Sequence, residues 1–271
     1  MNRMGINFER CRSIAIGSGK GGVGKSTVAI NLAIALAQEG FQVGLLDADL
    51  FGPSIPVMLG LRKLSPRIER LPNGKEQTIP FSKFGIQTLS IGFFIEEARP
   101  AIWRGPAVHG ILRKMIEEVA WDELDLLLID LPPGTGDTLL SLSQLIKPLE
   151  SLIVCTPQEV AMLDAVKAIN AFFQLDIPIL GIIENMAGFT APETQQVYHL
   201  FGQGKARELS SRFDIPLLAS LPIIPEIGQG GDEGQPSAFF AKSKPAGQCF
   251  QNLAKTFAEN YLKVAVNPFL E

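Results

Sequence analysis

The string GSGKGGVGKST at residues 17–27 carries the most readable chemistry in this chain. Gly19 to Ser26 fits G-x-x-x-x-G-K-S/T, with apolar Ile14, Ala15 and Ile16 before it and an alanine-rich stretch after it, the strand-then-helix context the pattern needs. Gly19, Gly21, Gly22 and Gly24 let successive backbone N–H groups, those of Lys20 and Val23 included, converge on phosphate oxygens, and the start of the next helix adds partial positive charge. Lys25 neutralises charge on the β- and γ-phosphates, Ser26 offers a hydroxyl to Mg²⁺, and Thr27 completes the nucleotide-binding set. A nucleoside triphosphate site for ATP with Mg²⁺ is the expectation. Lys20 is unusual, because an ordinary phosphate loop has no fixed need of a lysine directly after its first glycine. Taken alone it reads as well as a solvated surface lysine.

Carboxylates follow in two places. Asp47-Ala48-Asp49 ends a second apolar run, which puts acids at the C-terminal edge of a sheet, where α/β proteins bind ligands. One of them can sit near Mg²⁺; the alternative is that both simply cap a turn. LDLLLIDLPPGTGD (Leu124 to Asp137) ends its hydrophobic run in Asp130, as expected of a carboxylate that holds Mg²⁺ through water. Pro132 and Pro133 stiffen the following turn, while its glycines permit movement when a γ-phosphate leaves, and Gly134 can offer its N–H to that phosphate. Thr135 and Asp137 are neighbours with no role the sequence assigns.

The elements that must position these residues are short β-branched runs bounded by Gly, Pro or Asp, alternating with longer Ala-rich stretches. That pattern predicts an α/β fold: a single doubly wound, mostly parallel sheet with helices on both faces. Strands are expected over Ser13–Gly17, Gln42–Asp47, Gln87–Ile91, Leu126–Asp130, Ser151–Thr156, Ile179–Glu184 and Leu217–Leu221. Helices are expected over Gly24–Glu39, Val108–Val119, Val160–Phe173, Gly204–Phe213 and Ala238–Leu262, the first apolar almost all round and therefore buried. Between Leu61 and Phe84 the pattern weakens, and Pro72-Asn73-Gly74 predicts a small β-hairpin excursion within one domain spanning residues 1–271. Residues 238–271 read as a C-terminal helix and tail.

Composition bounds the rest. With 271 residues, 46% of them hydrophobic, the chain can bury a large core, and a net charge of −4 gives no electrostatic reason to expect a nucleic-acid partner. No apolar run approaches the ~18 residues of a transmembrane segment, and the N-terminus lacks a secretory stretch, so the expected compartment is the cytoplasm. Cys11, Cys155 and Cys249 are far apart and form no C-x-x-C pair.

The GKGGVGKS string resembles the deviant Walker A ATPases, whose members include MinD, ParA, nitrogenase iron protein and the Mrp family. The likeness to the Mrp branch extends through LLDADLFGPSIPVMLG (45–60), WRGP (103–106), IDLPPGTGD (129–137), TPQEVAMLDA (156–165) and ENMAGF (184–189). This resemblance implies a nucleotide-sandwich homodimer in which Lys20 reaches the partner's phosphates, much as an arginine finger does. It further implies catalytic roles for Lys20, Lys25 and Asp49, with Asp49 orienting the attacking water, and Mg²⁺ held by Ser26, Asp47 and Asp130. Asn185 matches the asparagine that reads the adenine edge, its alternative being a loop residue making its own turn, and Pro222 to Gly234 is implied as the other wall of the base pocket.

Members of the Mrp branch are regarded as ATP-dependent carriers that hold an iron–sulfur cluster between two subunits and pass it to apo-proteins, so apo iron–sulfur proteins or assembly factors are the implied partners. Each subunit normally supplies two thiolates from a C-P-x-C segment. Here that segment reads Ala191-Pro192-Glu193-Thr194, and Ala191 and Thr194 occupy both cysteine positions. The family implies a slow, dimer-dependent ATPase in iron–sulfur assembly, while the missing ligands argue against the usual way of holding a cluster. The alternative is an ATP-controlled partner or membrane-positioning switch of the MinD/ParA type, toward which the apolar Phe257, Leu262, Val264, Val266, Phe269 and Leu270 lean, unless they dock on the chain's own core. By the same resemblance, a redox role like that of nitrogenase iron protein needs cysteines near the dimer axis beyond the switches, and none occurs between Cys11 and Cys155.

Overall fold

The computed structural model describes residues 6, 8, 10–94, 105–134 and 136–262. Trp103, Thr135 and the tail from residue 263 onward lie outside them. Strand β1 (Arg12–Gly17) leads through the glycine-rich loop into α1 (Lys25–Gln38), and β2 (Val43–Asp47) is followed by the short α2 (Ile55–Met58). A hairpin of β3 (Arg67–Arg70) and β4 (Glu76–Ile79) precedes β5 (Phe81–Lys83) and β6 (Ile86–Ser90). Then come α3 (Gly105–Glu117), β7 (Leu126–Asp130), α4 (Asp137–Leu145), β8 (Leu149–Cys155), α5 (Glu159–Gln174) and β9 (Ile179–Glu184). A second hairpin, β10 (Phe189–Thr190) with β11 (Val197–Tyr198), is followed by α6 (Lys205–Phe213), β12 (Leu217–Ser220), α7 (Pro225–Asp232), α8 (Ser237–Phe240) and α9 (Pro245–Tyr261).

The main sheet runs β12-β9-β8-β1-β7-β2-β6-β5. All its pairings are parallel except that of β5 with β6. β1, β2, β7 and β6 are buried along almost their whole length, which is why they read as continuous apolar runs and not as alternation. From β1 the chain crosses over β7 to β2 in one direction, whereas β6 to β7, β7 to β8, β8 to β9 and β9 to β12 all step the other way. Right-handed crossovers then put α1 on one face and α3, α4, α5 and α6 on the opposite face. The predicted doubly wound sheet is the observed one.

Helix α1 is buried from Val28 to Leu36 because the sheet covers one side and α8 and α9 pack on the other. Within that stretch Asn31 is held on both sides of its amide: Nδ2 donates to the Thr27 carbonyl at 2.9 Å, and Oδ1 accepts from the Ala238 N–H at 2.8 Å.

Two sequence expectations need correcting. The single helix over Ala238–Leu262 is two, α8 and α9, because Pro245 has no N–H to continue a helix and instead opens α9. In the 61–84 excursion only Gly74 of the turn takes a positive φ, 82°, and Phe81–Lys83 belongs to the main sheet as its antiparallel edge strand. The segment from Pro222 to Gly234, for which no element was expected, contains α7. Helix α4 and the β10–β11 hairpin had no signal strong enough to predict them.

Candidate functional site

The strand order brings the chemistry together. Because β1 lies between β7 and β8, and β2 pairs β7, the phosphate loop, Asp130 and Asp47 emerge side by side at the C-terminal edge of the sheet. Asp47 and Asp130 are register partners. Gly22 and Gly24 take φ of 79° and 83°, a region side chains resist. Gly24 also has no room for a Cβ, which would lie 2.2 Å from Asn185 Nδ2.

At Gly19 the constraint is closer still. A Cβ there would sit 2.1 Å from the backbone carbonyl carbon of Asp164 in α5. Gly19→Ala must push the loop off α5, so it should cost about 2 kcal/mol as an overpacking defect and weaken ATP binding; thermal melting and ATP titration measure both. A variant as stable and as tight-binding as the parent would mean the loop can shift freely.

Lys25 Nζ donates to Asp130 Oδ1 at 2.6 Å and Ser26 Oγ to Asp130 Oδ2 at 2.5 Å. Burial pushes the Asp130 carboxyl above its ordinary range, and Lys25 and Ser26 oppose that shift. Asp47 accepts from Ser90 Oγ at 2.7 Å and from the Asp49 N–H at 3.1 Å. Burial, with Asp130 beside it, pushes Asp47 up to about 8. Two buried, mutually repelling carboxylates beside a serine hydroxyl suit a hard divalent cation, which would relieve that repulsion and takes oxygen ligands. The donor set fits Mg²⁺.

Asp49 faces its own turn. Its Oδ1 accepts from the N–H groups of Phe51 and Gly52 at 3.2 and 3.1 Å, the capping alternative the sequence left open. Asn185 Nδ2 donates to the Val23 carbonyl at 2.9 Å, so here its amide braces the phosphate loop instead of making its own turn. The Gly134 N–H donates to the Ser18 carbonyl at 3.0 Å, tying the LPPGTGD turn to the loop. Lys20 Nζ donates to Gln158 Oε1 at 2.9 Å. Gly21 and Gly22 are exposed at the rim, and Thr27 is half-buried with its carbonyl held by Asn31. Neither Ser90 nor Gln158 stood out in the sequence, because each reaches its aspartate or lysine across the sheet edge and not along the chain.

Ala191 and Thr194 lie in the β10–β11 hairpin. It closes on itself through Ala191 N–H to the Gln196 carbonyl and Gln195 N–H to the Ala191 carbonyl, both 2.9 Å, with Gln195 at φ 58°. His199 Nδ1 lies 3.1 Å from the Ala187 carbonyl. Cys11, Cys155 and Cys249 sit on separate parts of the fold, and burial pushes their thiols up to about 12, 12 and 11. Buried, protonated thiols are poor metal ligands. Among the described residues no group of three or more His, Cys, Asp or Glu is arranged to hold a metal ion, and none of the helices is long and apolar enough to cross a membrane.

A family model described as the NUBPL iron-transfer P-loop NTPase of the ParA group matches residues 10–258. The chain belongs to that family. Among its relatives, the iron–sulfur cluster carrier protein of Aquifex aeolicus is 43% identical over 247 residues, covering 91% of this chain and 67% of that protein. The carrier protein of Pseudomonas fragi is 43% identical over 244 residues, 90% of this chain and 84% of that one. A nucleotide-binding protein from Archaeoglobus fulgidus, solved with ADP, superposes with a TM-score of 0.72 at 38% identity over 89% of this chain and 93% of its own. The MinD cell-division ATPase of Pyrococcus furiosus gives 0.67 at 25% identity over 92% and 99%. This NUBPL-family chain therefore has the MinD-type P-loop NTPase fold expected from its sequence.

Proposed function

We propose that this chain is a Mg²⁺-dependent ATPase switch that closes as a nucleotide-sandwich homodimer and serves iron–sulfur cluster assembly without holding a cluster in the family's usual place. The observation that carries the reading is the intact GSGKGGVGKST loop, Lys20 included, set against β7 and β2 in a chain whose relatives are named cluster carriers. The ADP bound by the Archaeoglobus protein supports a nucleotide at this loop. Gly19, Gly21, Gly22 and Gly24 and the N–H groups of Lys20, Val23 and Thr27 cradle phosphates, and Lys25 balances their charge. Ser26, Asp47 and Asp130 would hold Mg²⁺, which when bound would supply electrostatic stabilisation of the charge that develops in phosphoryl transfer. Lys20 reaches the nucleotide of a second copy, Asp49 turns from its cap to orient water, and Gly134 releases Ser18 to bond the γ-phosphate. Asn185 lets go of the Val23 carbonyl to read the adenine edge.

Cluster iron takes soft thiolates, and the hairpin offers an alanine and a threonine. Anaerobic reconstitution with iron and sulfide should leave the parent chain without a hairpin-bound cluster, whereas Ala191→Cys with Thr194→Cys should acquire one, read by absorbance and acid-labile sulfide. A cluster on the parent chain would show other ligands at work. The same missing thiols favour the second reading, a cluster-free partner or membrane-positioning switch of the MinD/ParA type. Deletion that leaves iron–sulfur enzymes fully active, together with ATP-dependent pelleting on liposomes, would decide for it.

A further inference from the structure

Lys20 is fixed at both ends. Its carbonyl accepts from Ser18 Oγ at 3.0 Å, and Ser18 is itself held by the Gly134 N–H. Its Nζ donates to Gln158 Oε1 at 2.9 Å. Gln158 is equally fixed: it is the extended residue capping α5, with φ −69° and ψ 138°, and its carbonyl accepts from the Met162 N–H at 3.1 Å. The start of α5 is braced by the Glu159–Lys205 ion pair at 3.0 Å. Gly19, packed directly on the backbone of Asp164, locks the two segments together. The ammonium and its acceptor are thus set against each other by main-chain contacts, and the pairing does not depend on two wandering surface side chains.

The chemistry of the acceptor matters. An amide oxygen orders the four-bond lysine side chain yet leaves its charge intact. An ammonium bonds an anionic oxygen more strongly than a neutral one, because attraction between opposite full charges adds to the hydrogen bond. A phosphate oxygen therefore outcompetes Gln158 for Lys20, whereas a carboxylate at the same place would not be displaced so readily. We infer that Gln158 is a latch: a positioning residue that keeps Lys20 on its own chain until the phosphates of a second copy draw it away, and so sets how readily the dimer becomes active. The inference rests on the proposed action of Lys20 across a homodimer.

ATP turnover measured against protein concentration tests it, with ATP affinity and melting temperature measured alongside. Gln158→Leu, which removes the acceptor at similar volume, should raise dimer-dependent turnover or lower the protein concentration needed for it by roughly threefold to tenfold, the effect of one hydrogen bond of ordinary net strength. Gln158→Asn, one methylene too short to reach, should act in the same direction and serves if the leucine variant folds poorly. Gln158→Glu should move turnover the opposite way by a similar factor, with ATP affinity unchanged in all three. A purely structural role would not give opposite signs. Turnover that is unchanged or lowered in both Gln158→Leu and Gln158→Asn, while Lys20→Ala is inactive, overturns the latch and leaves the homodimer reading standing. Lys20→Ala with parental turnover overturns the homodimer reading and the latch with it.

Discussion

Lys25→Ala is expected to abolish tight nucleotide binding and, in the same protein without nucleotide, to destabilise the fold. Lys25 and Asp130 meet at 2.6 Å with side chains only 6% and 1% exposed, so neither charge has water to fall back on. Removing one partner of such a pair leaves the other buried and uncompensated, a loss of about 3–5 kcal/mol. The same ammonium is the charge proposed to face the β- and γ-phosphates, and losing it should weaken ATP by at least ~100-fold, or about 3 kcal/mol. Calorimetric titration with Mg-ATP and urea denaturation measure the two effects separately. Adding Asp130→Asn to the Lys25→Ala chain should recover part of the stability and none of the affinity. Parental affinity in Lys25→Ala would remove the lysine from the phosphate site. Parental stability would mean that Asp130 finds compensation elsewhere.

Lys20→Ala should behave in the opposite manner. Its side chain is half-buried at the rim and bonds only a neutral amide among the contacts described, so the fold and ATP affinity should stay close to those of the parent. What disappears is the part of turnover that depends on protein concentration, by ~100-fold, as expected for one charged contact made in the transition state and worth about 3 kcal/mol. Steady-state hydrolysis across a range of protein concentrations reads this directly. Equal turnover in Lys20→Ala would refute action across a dimer, and a large loss of ATP affinity would place Lys20 on the nucleotide of its own chain.

The contrast between the two lysines, five residues apart on one loop, shows what a linear pattern can and cannot give. The loop pattern reads Lys25 as a cation for phosphates, whereas Lys20 reads as a surface lysine or, by resemblance alone, as a cation for a partner's phosphates. Lys25 has its partner 105 residues away and Lys20 its partner 138 residues away, and nothing in the local sequence names either. Asp49 offers a similar lesson, because turn capping and water activation call for the same residue type at the same spacing. Asn185 does too: its amide meets the carbonyl of Val23 across a separation of 162 residues.

By itself the sequence determined the glycine-rich loop pattern, the buried parallel strands and the absence of sulfur at Ala191 and Thr194, where the family resemblance implies cysteines. Each of these is a property of contiguous residues: converging N–H groups, unbroken apolar runs, side chains that either carry sulfur or do not. The break between α8 and α9 is local in origin as well, since Pro245 has no N–H with which to continue a helix. The tertiary structure alone decided which carboxylates share a buried site, that Ser90 supports Asp47, and that Gln158 holds Lys20. Those pairings follow from β1 lying between β7 and β8 with β2 beyond β7. Strand order arises from the packing of both sheet faces at once, and the apolar periodicity of each strand is the same whichever neighbour it takes.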